Sequence, residues 1–394
     1  MQREEMSLYK ITVNSFKNNF RQYTMIIALI VIWTIFSFTT GKVFLTPRNL
    51  SNLFLQTVPV GILAVGMTLI IVTGNIDLSV GALAGFCGAI AAVLQVKYQF
   101  STVSVIFAAL GVGLLIGLWH GFWVAYQKVP AFIVTLSSML ALRGAILGVT
   151  DGMTIGPMQD SFKAIGQKYL PSFFSKTPHF NDSTLILALV CIALYLIFDW
   201  KNRNERIKFG FETLPLKAQI LKMVLISIAI GAFFSVMIFY QGIAYCVLLL
   251  MAITLVFSFV AGNTVFGRRL YAIGGNADAA RLSGINIGKN IMRLFVIYGC
   301  LTAVAGVVLT ARLNAATTSA GTNMELDAIA AAVIGGTSLL GGEGTIIGSI
   351  IGALIMASLD NGMSLMNMNI TYQYIIKGMI LLFAVWLDIY NRRK

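Results

Sequence analysis

The chain has 394 residues, of which 58% are hydrophobic and only 11% charged; a soluble globular domain is about 45–50% apolar and about 25% charged, so a soluble fold is excluded. The formal net charge of +13 then reads as basic residues gathered in cytosolic loops, not as a nucleic-acid surface. No polar stretch is long enough for a separate soluble domain, and residues 1–394 are expected to form one all-α, polytopic transmembrane domain.

Arg3, Lys10, Lys17 and Arg21 precede the first apolar run, 24–40. No small-residue cleavage site follows it, which predicts an uncleaved first span with a cytosolic N-terminus. Further runs lie at 53–73, 77–96, 102–126, 131–149, 184–199, 219–240, 243–262, 291–311, 327–340, 345–360 and 372–390. Twelve crossings put both termini on the cytosolic side, as do the basic segments "DWKNRNERIKFGFETLPLK" and "FGRR" and the tail "NRRK". Several runs are short or broken by glycine, so the expected number is about 10–12, with re-entrant segments possible.

The second break in this apolar pattern, "IVTGNIDLSVGALAG", holds Thr73, Asn75, Asp77 and Ser79. Two readings of Asp77 stand together. Asn and Asp cap helix N-termini through their side-chain oxygens, and a polar break within a membrane protein also lines pathways. A weak internal repeat pairs "GNIDLSVG" at 74–81 with "GGTSLLGG" at 335–342, matching Gly74/Gly335, Leu78/Leu339 and Gly81/Gly342. Interrupted hydrophobic segments in corresponding places point to a transporter's central pathway. The pathway candidates are therefore Asn75, Asp77, Ser79, Thr337 and Ser338.

Downstream, Arg143 lies within a span and is expected in a structural ion pair or at the interface rather than on substrate. Lys377, in "YQYIIKGMILL", carries the same expectation. The loop 150–183 is the longest one predicted outside, with Asp151, Asp160, Lys163, Lys168, Lys176, Asp182 and three prolines; it is either a docking surface or a solvated loop. Glu325 and Asp327 read as charges at a helix N-terminus. Asp360 and Asn361 are expected to close a helix and open a turn. His120 and His179 are isolated, and Cys87, Cys191, Cys246 and Cys300 are far apart without a CxxC pair, so neither a metal site nor a disulfide frame is expected.

The most informative polar segment is "GRRLYAIGGNADAARLSGINIGKN", within a predicted cytosolic loop at 263–290. Gly274-Gly275 interrupts the chain, Asn276 is a good N-cap, and Gly284 supplies a left-handed stop. Between them Ala277, Asp278, Ala279, Ala280, Arg281, Leu282 and Ser283 form a helix of about two turns. Such an element either docks in a partner's groove or is an ordinary surface turn. The nearest approach to a phosphate loop, "GINIGKN" at 284–290, has three residues between its glycines and Asn290 in place of Ser or Thr, so it is not a Walker A motif. No catalytic constellation appears, and no cofactor is expected on this chain.

The segments "GNIDLSVGA", "VAYQKVPAFIVTLSSMLALRG", "FGRRLYAIGGNADAARLSGIN", "ELDAIAAAVIGGTSLLGGEGTIIGSIIGALIMASLDNGMS" and "YIIKGMILLFAVWLD" resemble the permease subunits of bacterial monosaccharide ABC importers. The resemblance covers nearly the whole chain in order, and is nearest the xylose and multiple-monosaccharide types in the ribose/galactose/xylose branch. It departs at Gly74-Asn75, where the family often has Gly-Gly or Ala-Glu, and at Ala82. The resemblance implies a second permease copy, and a separate cytosolic ATPase chain holding ATP and Mg²⁺ and docking on Asn276–Gly284. It also implies an extracytoplasmic sugar-binding protein. An ion-coupled secondary sugar transporter is the main alternative; it wants a buried titratable relay, for which Asp77 alone is thin. A membrane-embedded enzyme or a passive channel is a more distant alternative.

Overall fold

A computed structural model describes residues 20–174, 180–211 and 213–392. The expectations for Arg3, Lys10, Lys17, Lys176 and His179 lie outside the described residues. Among those described, the regular structure is helical, with two isolated β-bridges, Ile155 to Ala316 and Tyr169 to Ala244. Among the described residues nine helices are long and apolar enough to cross a membrane, and two shorter apolar stretches, Thr24–Thr39 and Ile370–Trp386, accompany them. The chain is an all-α, multi-pass membrane protein.

The helices in order are α1 (Phe20–Thr39), α2 (Pro47–Val72), α3 (Val80–Ala92), α4 (Thr102–Ala125), α5 (Ala131–Thr150), α6 (Asp160–Gln167), α7 (Asp182–Lys208) and α8 (Leu216–Ile238). There follow α9 (Tyr245–Asn263), α10 (Val265–Gly275), α11 (Ala277–Leu282), α12 (Ile287–Leu313), α13 (Met324–Ile334), α14 (Ile346–Leu365) and α15 (Ile370–Arg392). The described residues group into two compact units, one built from 45–52 and the described part of 169–244, the other from 21–44, 53–168 and 245–392.

In the first unit α7 and α8 form a hairpin fastened at both ends by polar contacts. At one end the Asn181 side chain caps α7, accepting from the Thr184 amide at 2.8 Å, and donates to the Leu170 carbonyl at 2.8 Å. Asp182 accepts the amides of Phe173 at 3.0 Å and Ser183 at 2.8 Å. At the other end Asp199 accepts from Gln219 and, at 2.6 Å, from Lys222. Between these ends the hairpin is apolar and largely uncovered, as two helices facing lipid are.

In the second unit α2, α3, α12 and α14 are buried over two-thirds or more of their apolar windows, whereas α4, α5 and α9 are buried over less than a third. The inner helices therefore pack on protein, the outer ones on lipid. Close approach within this core depends on small residues. A methyl on Gly113 of α4 would lie 2.3 Å from the Gly299 carbonyl oxygen of α12, and one on Gly299 would lie 2.1 Å from the Gly113 carbonyl oxygen.

Three expectations about helix extent are corrected. The run at 327–340 does not form a spanning helix. Residues 324–334 make only α13, about 16 Å long at 1.5 Å per residue, which is half a hydrocarbon core. Residues 314–323 return irregularly beside α3 to reach it, with Ala316 bridged to Ile155 and Ala320 and Gly321 against Gly85 and Gly81. Ala316, Ala320 and Gly321 are the buried points of this irregular stretch, where it packs on protein. Asp360 and Asn361 lie inside α14, which continues to Leu365, and so do not open a turn. Gly274 and Gly275 likewise belong to the end of α10.

Candidate functional site: two polar breaks joined to a helix pair

The two breaks singled out in the sequence separate α2 from α3 and α13 from α14. Both interrupt the helical chain, but the matched glycines do different work. Gly74 and Gly342 adopt positive φ, +76° and +77°, while Gly81 lies within α3 and Gly335 has φ −67°. The breaks meet directly: the Gly342 amide donates to the Val72 carbonyl at 2.8 Å.

Helix α10 is packed onto this junction. The Tyr271 hydroxyl donates to the Gly344 carbonyl at 2.8 Å. A methyl on Gly274 would stand 1.6 Å from the Val72 carbonyl oxygen and 2.7 Å from the Gly342 nitrogen. Only a glycine permits that approach. Immediately beyond, α11 is a six-residue helix whose N-cap Asn276 accepts the Ala279 amide at 2.9 Å, and Gly284 adopts φ +80° two residues past its end. Asn276, Ala277, Asp278, Ala279, Arg281, Leu282, Ser283 and Gly284 are exposed; Ala280 is turned inward at 4% exposure. Leu282 is 90% exposed, although no apolar segment surrounds it in sequence.

The pathway candidates cluster at the breaks but are packed. Asp77 is 3% exposed, and Ser79, Thr337 and Ser338 are fully buried; Asn75 is half-buried and donates to the Thr73 hydroxyl at 3.0 Å. Asp77 Oδ1 accepts the Ser79 amide at 2.8 Å and its hydroxyl at 2.6 Å, a tight turn ahead of α3 rather than a cap within its first turn. The Leu78 amide donates to the Thr135 hydroxyl at 3.0 Å, tying this turn to α5. In the second break the Leu340 amide donates to the Ser338 hydroxyl at 3.2 Å, and the Ser338 amide to the Glu343 carbonyl at 3.0 Å. The Thr337 hydroxyl oxygen is buried without a partner among the described residues.

One relationship escaped the sequence, and another proved larger than expected. His120, read as isolated, is buried with Nδ1 3.9 Å from Asp77 Oδ2, and its Nε2 has no partner among the described residues. Lys377 lies between two carboxylates, 2.8 Å from Asp327 Oδ1 and 3.0 Å from Asp360 Oδ1, joining α13, α14 and α15. Here the expected ion pair is present and larger than a pair. Arg143 is different: its Nη1 donates to the Ala320 carbonyl in the irregular backbone beside α3 at 2.8 Å, and the Glu325 carboxylate is its electrostatic neighbour. The signal available was a polar or charged side chain inside an apolar run, which must find a partner. Among the described residues no group of His, Cys, Asp or Glu is arranged for a metal, and the four cysteines are unpaired.

Comparison with known proteins bears on this arrangement. The family described as "Branched-chain amino acid transport system / permease component" matches residues 49–201 and 183–385. The chain belongs to this permease family. It is 44% identical over 376 residues to the xylose transport system permease protein XylH of Escherichia coli, covering 95% of this chain and 93% of that one. The protein of the same description from Haemophilus influenzae is 43% identical, with 95% and 98% covered. The ribose import permease protein RbsC of Escherichia coli is 36% identical over 363 residues, 92% of each chain. No solved structure matches the permease. The second break and α10–α11 fall within the second matched stretch, and the first break within the first.

Proposed function

We propose that this permease is the membrane subunit of an ATP-binding-cassette importer carrying a monosaccharide, xylose or a related sugar, into the cytoplasm. The observation that carries the reading is the path from exposed α11 through Gly274 to Val72 and Gly342, which links an exposed short helix to both breaks. Sugar, rather than the branched-chain amino acid in the family description, is favoured by the names of the xylose and ribose relatives.

In this reading a cytosolic ATPase chain, holding ATP and Mg²⁺, docks on Asn276–Gly284, with the exposed Leu282 as its apolar anchor. ATPase closure displaces α11, and α10 moves the two breaks with it because Gly274 has no slack against Val72. That motion tilts the balance between outward and inward states by differential binding. Asn75, Asp77, Ser79, Thr337 and Ser338 are the polar groups that such motion would expose to a sugar. A second copy of the chain completes the pathway, a sugar-binding protein delivers substrate at the outer face near loop 150–183, and both termini lie on the cytosolic side of the inner membrane. The segment 263–290 works as the coupling element of a single permease domain, and the chain itself holds no cofactor.

One observation favours a second reading, ion-coupled secondary transport: Asp77 and His120 form a buried titratable pair. Proteoliposomes containing the permease, its ATPase and its binding protein separate the two. The importer reading expects xylose uptake to require ATP and to survive an uncoupler. Uptake that persists without ATP and collapses with the uncoupler refutes it.

A further inference from the structure

The α7–α8 hairpin carries a feature that the transport reading does not use. At Asp199 helix α7 leaves its apolar stretch and continues as "WKNRNERIK", and the hairpin reverses through Phe209, Gly210 and Phe211. Gly210 has φ +74°, and the flanking Phe209 and Phe211 are 71% and 63% exposed. Residues 199–222 hold six basic and three acidic side chains.

Along α7, Ile197, Lys201, Glu205 and Lys208 recur at helical spacing and share one face. Where this face meets α8 the hairpin opens a shallow groove of about 690 Å³ lined by Leu196, Ile197, Trp200 and Met223, with two lysines, Lys201 and Lys208, and one carboxylate, Glu205, among its polar residues. A second hollow of about 450 Å³ shares Leu196, Trp200 and Met223 and continues along α8 past Val224 to Ile228. The result is a furrow that is basic at one end and apolar along its length. From Leu196 to Lys208 it runs roughly 18 Å at 1.5 Å per residue.

The charges at the rim are available. Asp199, at the start of this basic stretch, is already occupied by Gln219 and Lys222. Lys201 meets Glu205 only at 4.0 Å in an exposed pair, an arrangement weak enough to exchange for a better anion. Lys208 has no ion-pair partner within 4.0 Å among the described residues. Lysine stems lie along apolar surface while their heads reach the interface, and an indole sits well where hydrocarbon meets headgroup.

We propose that this furrow binds one acidic phospholipid, with its phosphate between Lys201 and Lys208 and its acyl chain along Trp200, Met223 and Ile228. Charge complementarity selects the occupant: a zwitterionic lipid gains little from the basic rim, and an apolar partner helix leaves both lysines unmatched. Each lysine near an acidic membrane surface strengthens attraction about fivefold.

Tryptophan quenching tests the site. The full chain is placed in nanodiscs containing phosphatidylglycerol or phosphatidylcholine brominated near the headgroup, and the Trp200 signal is taken as the difference from Trp200→Phe. The expected result is half-quenching at a roughly tenfold lower mole fraction of the brominated acidic lipid. Lys201→Gln with Lys208→Gln should abolish that preference while insertion and gel-filtration profile stay unchanged. Equal quenching by the two lipids in the unmodified chain overturns the proposal, as does a preference that survives the double change. Quenching by neither, the result if a second copy covers the furrow, overturns it too.

Discussion

Gly274 stands against Val72 with no room for a side chain: a methyl group there would lie 1.6 Å from the Val72 carbonyl oxygen. This contact joins the helix that precedes the exposed α11 to the end of α2, at the point where the chain breaks toward Asp77. A methyl needs about 1.5 Å or more of extra separation to reach ordinary contact. Gly274→Ala therefore forces α10 away from both breaks, at a cost of roughly 1–3 kcal/mol or more. The expected outcome is a lowered melting temperature in detergent and at least tenfold slower uptake, while α11 still binds its ATPase. Uptake at the unmodified rate would show that the contact transmits nothing.

Lys377 neutralises Asp327 and Asp360 from a third helix. Lys377→Met leaves two carboxylates unpaired in a largely buried place, and breaking such a network costs about 3–5 kcal/mol. Adding Asp327→Asn and Asp360→Asn to that change should recover most of the loss, because no buried charge then remains. Thermal melting of the single and triple variants decides this; a triple variant no more stable than the single one argues against charge balance as the cause.

Asp77 offers a separation of structure from titration. Asp77→Asn keeps an oxygen able to accept the Ser79 amide and hydroxyl, whereas Asp77→Ala removes it. The alanine variant is expected to lose about 1–2 kcal/mol, the scale of a lost capping oxygen. The asparagine variant should remain near normal stability and transport within about threefold. If Asp77→Asn folds but stops transport, the carboxylate's charge matters and the Asp77–His120 pair becomes the leading candidate for ion coupling.

Local features were legible and long-range ones were not. The start and stop of α11 followed from Asn276 and Gly284 because capping depends on residues within one turn. The apolar runs marked α2, α4, α5 and α12 because bilayer thickness sets their length. The same logic overextended 327–340, where an apolar composition continues past Ile334 although Gly336 turns at φ +86°. It also missed that α14 runs through Asp360, because a carboxylate inside a helix is tolerated once Lys377 stands beside it. Lys377, Asp327 and Asp360 come from three helices, and nothing in their spacing announces that they meet. The Asp77–His120 approach is of the same kind. Arg143 was legible as a residue in need of a partner, but its partner, the Ala320 carbonyl, exists only because residues 314–323 fold back beside α3.

Exposure within α11 also separates a docking surface from a folding core. Ala280 is buried and Leu282 is 90% exposed, so Ala280→Asp should destabilise the permease. Leu282→Asp should leave its stability within about 0.5 kcal/mol of the unmodified chain, as surface changes do. Equal destabilisation by both would mean that Leu282 is packed against the permease itself.

The most direct measurement is co-purification of the permease with its ATPase subunit, comparing the unmodified chain with Leu282→Asp. The account predicts a stable complex for the first, and a well-inserted, monodisperse permease that has lost the ATPase for the second. Retention of the ATPase by Leu282→Asp, or no complex with the unmodified chain, would contradict the claim that α11 is where ATP-driven motion enters the membrane.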